Sequence, residues 1–312
     1  MLENWLLVAF IAPMLWSLVN LIDVYFVNDV YRDEYDGAII SGLFPILPWT
    51  LVLFGVVAFN FPDTGWMWFL TGGALFLFAN FFYFKSLFRN NDAALVQIFW
   101  NLTVPFTLLF SWFFFQESLN LKEYIGIAIV LIGVIYLSLQ EKGDEWKIKD
   151  VLKNIIPASV LLASSLVCTN YAYESSEVHF FDGYLVFASG MVLGALALNL
   201  FDKTSLKNRF SQITVLTKKY FLVFFAAELL ALVGTITSQR ALDLSPSASF
   251  VATIESLSPV FVMFFSLVIV VLGRTLIRDF SVSESLYNAQ FRALKKKFFA
   301  VTTIAIGIFL VS

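Results

Sequence analysis

The 312-residue sequence is poor in charge, sulfur and imidazole. Its one cysteine, Cys168, leaves no internal disulfide to close, and its apolar neighbours mark an inert, buried thiol. Its one histidine, His179, falls between apolar runs, so no His/His or Cys/His metal site can be assembled. No glycine-rich phosphate loop is present, which argues against direct nucleotide hydrolysis. The net charge of −3 is too small to suggest a nucleic-acid partner. The first residues, Met1 to Asn4, lack the basic stretch of a secretory leader, so the first apolar run is expected to remain as a helix.

What is abundant is apolar surface. The chain is 59% hydrophobic, with 36 phenylalanines and only 14% charged residues, whereas soluble domains carry roughly 25% charged residues. Folded in water, such a chain would leave a large apolar area exposed; a bilayer removes that cost. Unsatisfied backbone is forbidden in lipid, and the apolar runs are continuous rather than alternating, so the spans are helices and not barrel strands.

At about 20 residues per span, the expected spans are Trp5–Ile22, Ala38–Phe59, Trp66–Phe84, Ala93–Phe115 and Glu123–Leu139 in the first half. Those of the second are Val151–Tyr173, Phe181–Phe201, Lys219–Ser238, Ser247–Leu272 and Phe298–Val311. A charged linker at 141–150 divides residues 1–140 from residues 151–312.

The halves repeat. An offset of 154 carries Ala94 to Ala248, Pro105 to Pro259 and Phe110 to Phe264. An offset of 174 carries Lys122 to Lys296, Gly133 to Gly307 and Ser138 to Ser312, which implies an insertion at 273–294. Five spans is an odd number, so the second half is expected upside down relative to the first. The expected fold is an all-α membrane protein of ten transmembrane helices, two inverted five-helix repeats around a central cavity, the plan of secondary transporters. Loop charge agrees: the odd-numbered loops hold 18 of the 20 basic residues, leaving Lys122 and Arg240 to the even ones. The positive-inside rule then makes the odd loops cytoplasmic and both termini external, in a bacterial cytoplasmic (inner) membrane. Lys295–Lys297 beside Phe298 and Phe299 reads as a topology determinant that also suits anionic lipid.

Two segments carry a family likeness. One runs from Lys85-Ser-Leu through Ala93-Ala-Leu-Val-Gln-Ile-Phe-Trp-Asn-Leu-Thr-Val-Pro105 to Glu117, Gly126 and Gly133. The other is Arg240-Ala-Leu-Asp-Leu-Ser-Pro-Ser-Ala-Ser-Phe-Val-Ala-Thr-Ile-Glu-Ser-Leu-Ser-Pro259. Both resemble the EamA-type repeat of the drug/metabolite transporter superfamily, and two copies cover nearly the whole chain. The resemblance implies a ten-helix basket working by alternating access on metabolites, amino acids or drugs. The second copy departs from the pattern in lacking a clear equivalent of Glu117 and in its long loop after Leu272. Members are often drawn with cytoplasmic termini; the loop charges of this sequence give the opposite orientation.

Ionisable groups within a span cost several kcal/mol and mark cavities or partners. Glu228 lies halfway along the eighth span and Glu255 about two turns into the ninth, while Asp23 and Asp182 fall at span ends, where an interface role is ordinary. Glu255 shares a helix face with Pro259, and the repeat maps that face onto Asn101 and Pro105, with Gln97 a turn before. A proline removes a helix hydrogen bond and frees the carbonyl four residues back, here that of Glu255 or Asn101. Further polar faces are Trp16 with Asn20, Asn80 with Tyr83, and Ser165, Thr169 and Tyr173, while Trp100 can stack on a flat or cationic ligand or face lipid. Pro45 and Pro48 read as a kink, and Gly190 with Gly194 as a close-packing face.

The expected function is secondary active transport of a small polar metabolite, an amino acid or another cationic or zwitterionic solute, by proton-coupled export or exchange. Glu228 and Glu255 are the candidates for proton or cation coupling. The candidate substrate residues are Trp16, Asn20, Asn80, Tyr83, Gln97, Trp100, Asn101, Ser165, Thr169, Tyr173 and Glu255. Partners are the solute and membrane lipid; no cofactor, metal, nucleic acid or enzyme activity is expected. The competing readings are an intramembrane enzyme or lipid scramblase using the same cavity, and a non-transporting scaffold whose buried acids are dispensable.

Overall fold

The computed structural model describes residues 4–90, 96, 100–140, 148–202, 208, 221–265, 268 and 294–311, and every described element is helical. Gln97, linker residues 141–147 and residues 273–293 of the insertion lie outside the described residues. Helices in chain order are α1 (Asn4–Asp29), α2 (Glu34–Leu43), α3 (Trp49–Leu53), α4 (Trp66–Asn90), α5 (Thr103–Phe115) and α6 (Leu121–Gln140). They continue as α7 (Ile148–Ser175), α8 (Phe180–Phe201), α9 (Phe221–Leu244), α10 (Ala248–Glu255) and α11 (Leu294–Val311). Among the described residues seven helical segments are long and apolar enough to cross a membrane, and Thr103–Phe115 and Phe298–Leu310 are shorter apolar helices. This is a multi-pass integral membrane protein. Its outward faces carry bare apolar side chains, among them Phe54 at 82% and Leu200 at 85% exposure, which a bilayer covers and water would not.

Proline sets the breaks. Pro45 opens a 3-10 turn at Phe44–Ile46, and Pro48 caps the restart at α3, so the expected kink in the second span is a change of helix type. In the ninth span α10 stops at Glu255, turns at 256–257 and resumes over 258–265, which carry Pro259. The fourth span turns at 101–102 before α5, which carries Pro105. Each break falls a few residues before its proline, where the missing N–H loosens the ladder.

The core is built on α4, which packs against α7 on one side and α8 on the other, while α1 lies along α9, α6 along α11, and α5 against α7 and α10. Glycine allows the closest crossing. A Cβ on Gly73 would overlap the carbonyl oxygen of Phe187, and one on Gly190 would overlap that of Leu70. Backbone therefore meets backbone between α4 and α8. One end of the bundle holds Phe69, Tyr173, Phe180, Tyr184 and Arg240 in ring and cation contact. The other holds Tyr31 against Phe84 and Lys85 near Glu34.

Candidate functional site

Three helices turn matching faces toward a common hollow. From α1 come Trp16, Val19, Asn20 and Asp23; from α4, Phe76, Asn80, Tyr83 and Phe84; from α9, Glu228, Ala231, Leu232 and Thr235. Steps of three and four residues keep each set on one helical face. Ser41 of α2, Phe44 and Pro45 of the 3-10 turn, Trp100, Leu162, Met191 and Ser258 complete a cavity of about 110 Å³. At roughly 10–15 Å³ of such space per water, this holds several waters or a small solute.

Polar groups on these faces are held in defined positions. Tyr83 OH donates to Asn20 Oδ1 at 2.9 Å, and its ring meets Trp100 edge-on with centroids 5.1 Å apart. Trp16 Nε1 donates to the carbonyl of Ala231 at 3.4 Å, and its indole lies where a side chain on Gly234 would stand. Glu228 is buried, and its Oε1 accepts from Ser41 at 3.0 Å and from Tyr31 at 3.4 Å. One carboxyl thus ties α9 to α2 and to the turn after α1. Asp23 is 8% exposed and also lines the cavity. Among the described residues that line the cavity there is no lysine or arginine.

Residues 4–139 match the EamA-like transporter family. That stretch, a little under half of the chain, is similar to the family. The family is one of membrane transporters of small solutes and lies in the drug/metabolite transporter superfamily. A crystal structure of another protein superposes with a TM-score of 0.64 at 17% identity, covering 100% of this chain and 97% of its own, and it shows a shared fold. No curated protein matches the sequence.

Within this EamA-like chain the other expected site residues take three kinds of place. Glu255 and Asn101 are buried at the two helix breaks and are not among the cavity's lining residues. Glu255 Oε1 accepts from Ser238 at 2.5 Å, and its backbone carbonyl, freed by Pro259, accepts from Ser258 Oγ at 3.0 Å. The carbonyl of Asn101 accepts from Val104 N at 3.2 Å, while its Nδ2 has no partner among the described residues. Ser165, Thr169 and Tyr173 also lie off the cavity. Ser165 Oγ donates to the carbonyl of Gly72 at 2.7 Å, and Thr169 fills the space beside Gly72. Tyr173 sits in the ring cluster, edge-on to Phe69 and stacked on Phe180. The close approach of α4 draws that polar face of α7 into helix packing. Gln97 lies outside the described residues.

Two cavity groups escaped the sequence reading. Asp23 reads as a span end when the first span stops at Ile22, but α1 runs on to Asp29. Its place one turn after Asn20 and two after Trp16 was the available signal. Ser41 reads as one more small residue in an apolar run. Asp182, by contrast, sits in the first turn of α8 and accepts from Asn60 N at 3.2 Å, which holds a connecting segment.

Proposed function

We propose that this chain is a secondary transporter that carries a small cationic or zwitterionic solute by alternating access, through ten spans in two inverted five-helix repeats, residues 1–140 and 151–312. The observation that carries the reading is the cavity between α1, α4 and α9, with Asp23 and Glu228 in its wall and no basic side chain to balance them. A solute bringing its own positive charge suits that wall.

The repeat is supported by contacts that survive exchange of the halves. Spans one and eight pack as α1 on α9, and their counterparts six and three pack as α7 on α4. Spans two and seven, four and nine, and five and ten each pack on their own counterpart. Asp36-Gly37 and Asp182-Gly183 stand at the same place near the start of α2 and α8. Lys85 near the end of α4 lies 3.9 Å from Glu34, which opens α2. Arg240 near the end of α9 lies 5.1 Å from the ring of Phe180, which opens α8. In this reading each is a basic latch, one for each of two alternating mouths.

In this reading Glu228 is the coupling group, exchanging a proton as the solute loads. Trp16, Asn20, Asn80, Tyr83 and Trp100 frame the solute, and Glu255 and Asn101 tune the two helix breaks on which opening turns. Both termini are external. Proteoliposome flux at two pH values, wild type beside Glu228→Gln, tests the core of this. Wild-type flux depends on pH and the variant's does not; the same profile in both sinks the coupling role.

A further inference from the structure

Asp23 enters the reading above only as a charge in the cavity wall, yet it is the cavity group least explained as structure. It closes the face begun by Trp16 and Asn20, it is 8% exposed, and the cavity is what it faces. Among the described residues no hydrogen bond or ion pair reaches its carboxyl. Glu228 differs, since two hydroxyls already converge on its Oε1. A buried carboxyl without a protein partner is costly to keep, so its retention in a solute cavity points to a ligand that supplies the partner. The surroundings restrict which ligand. Trp16, Phe76, Tyr83 and Trp100 give aromatic walls that favour an ammonium and its alkyl body. A substrate carboxylate would find two acids and no lysine or arginine in the same small space.

We infer that the cavity takes a small organic amine that lacks a carboxylate, and that Asp23 seats its ammonium while Glu228 is left to the coupling proton. The assignment rests on the transporter reading and narrows it from any cationic or zwitterionic solute to amines alone. The carboxyl of Asp23 accepts the ammonium donors, the rings enclose the alkyl portion, and Asn80 lines the wall within the same hollow.

Isothermal titration of the full chain in nanodiscs with three probes of one body tests it: isobutylamine, valine and isovalerate. Isobutylamine binds roughly ten-fold or more tighter than valine, and isovalerate gives no heat, because the amine gains a charge-assisted pair, valine gains it against the repulsion of its own carboxylate, and isovalerate has no ammonium to offer. Asp23→Asn, which keeps the shape, loses roughly ten-fold or more in amine affinity, while Asp23→Glu, which keeps the charge, stays within a few-fold of wild type. Equal binding of valine and isobutylamine overturns the inference, as does unchanged amine binding in Asp23→Asn. Equal losses in Asp23→Asn and Asp23→Glu, with wild-type melting, also overturn it, because charge would then not be what the site reads. Proteoliposome flux separates this from the broader reading. Valine flux indifferent to Asp23→Asn sinks the amine assignment and keeps the transporter, whereas Asp23-dependent amine binding with no flux of any probe keeps the site and sinks the transporter.

Discussion

Gly133 and Gly307 occupy equivalent places in the contact between α6 and α11. A Cβ on Gly133 would meet the side chain of Ile304 at 2.6 Å and the carbonyl of Ala300 at 3.4 Å. A Cβ on Gly307 would meet the side chain of Val130 at 2.7 Å and the carbonyl of Gly126 at 2.8 Å. The offset of 174 that carries Gly133 to Gly307 also carries Gly126 to Ala300 and Val130 to Ile304. Each glycine therefore receives the counterpart of what the other receives.

Alanine at either position is expected to destabilise the α6–α11 pair, by about 1–3 kcal/mol for an overpacked site. Gly307→Ala should be the worse of the two, since its new methyl meets a carbonyl and backbone nitrogen at 2.8 Å, where the backbone atoms nearest a methyl on Gly133 stand off at 3.4 Å. Thermal unfolding in detergent measures both. A Gly307→Ala that melts above Gly133→Ala would contradict the close approach of the two backbones.

The pH response of flux should depend on the whole setting of Glu228. The groups facing it are Asp23 of α1, Tyr31 in the turn after α1, Ser41 of α2 and Tyr83 of α4, with no basic side chain among the cavity's lining. Ser41→Ala removes the shorter of the two donors to Oε1, so its flux profile should move along the pH axis further than that of Tyr31→Phe. Glu228→Gln should flatten the profile. Flux measured across the pH range with each variant decides the ranking.

Lys85 and Arg240 should act in opposite senses. With a reporter Val19→Cys in a Cys168→Ser background, Arg240→Ala should raise labelling by an impermeant thiol reagent from the Phe180 end of the bundle. Lys85→Ala should raise it from the Glu34 end. A general loss of structure would raise both together in both variants, so same-sided changes would remove the latch assignment.

Ser165→Ala should cost stability without touching solute affinity. Its hydroxyl bonds the carbonyl of Gly72 across the α4–α7 contact, an interhelical bond worth about 0.6 kcal/mol on average in membrane bundles. A melting shift with unchanged amine titration is the expected pair of results; a weakened titration with unchanged melting would return Ser165 to the cavity.

Much of this was legible because helical spacing is rigid. Trp16 with Asn20 and Asn80 with Tyr83 share faces by arithmetic alone, and Glu228 announces itself as a carboxyl amid apolar neighbours. Spacing does not say which neighbour a face meets. Ser165 and Thr169 form a polar face as good as that of Asn20, yet Gly72 opposite them admits a backbone so near that the hydroxyls are spent on packing. Asp23 was hidden by a boundary: apolar scoring ends the first span at Ile22, while the hydrogen-bonded ladder continues to Asp29. Glu255 shares its face with Pro259 as spacing requires, but the turn at 256–257 and the bond from Ser238 hold it at a break, which no periodic pattern encodes.

The glycine crossing of α4 and α8 has a mechanical corollary. Where Gly73 and Gly190 lay main chain on main chain, there is no cushion of side chains to shear, so those two rods must travel as a single strut through any cycle of opening. A pair of spin labels straddling that crossing should keep one separation in every condition, while labels from α4 to α9 across the hollow breathe. In the proposed cycle the moving parts would then be α1, α9 and the two snapped helices, swinging against a keel that does not bend.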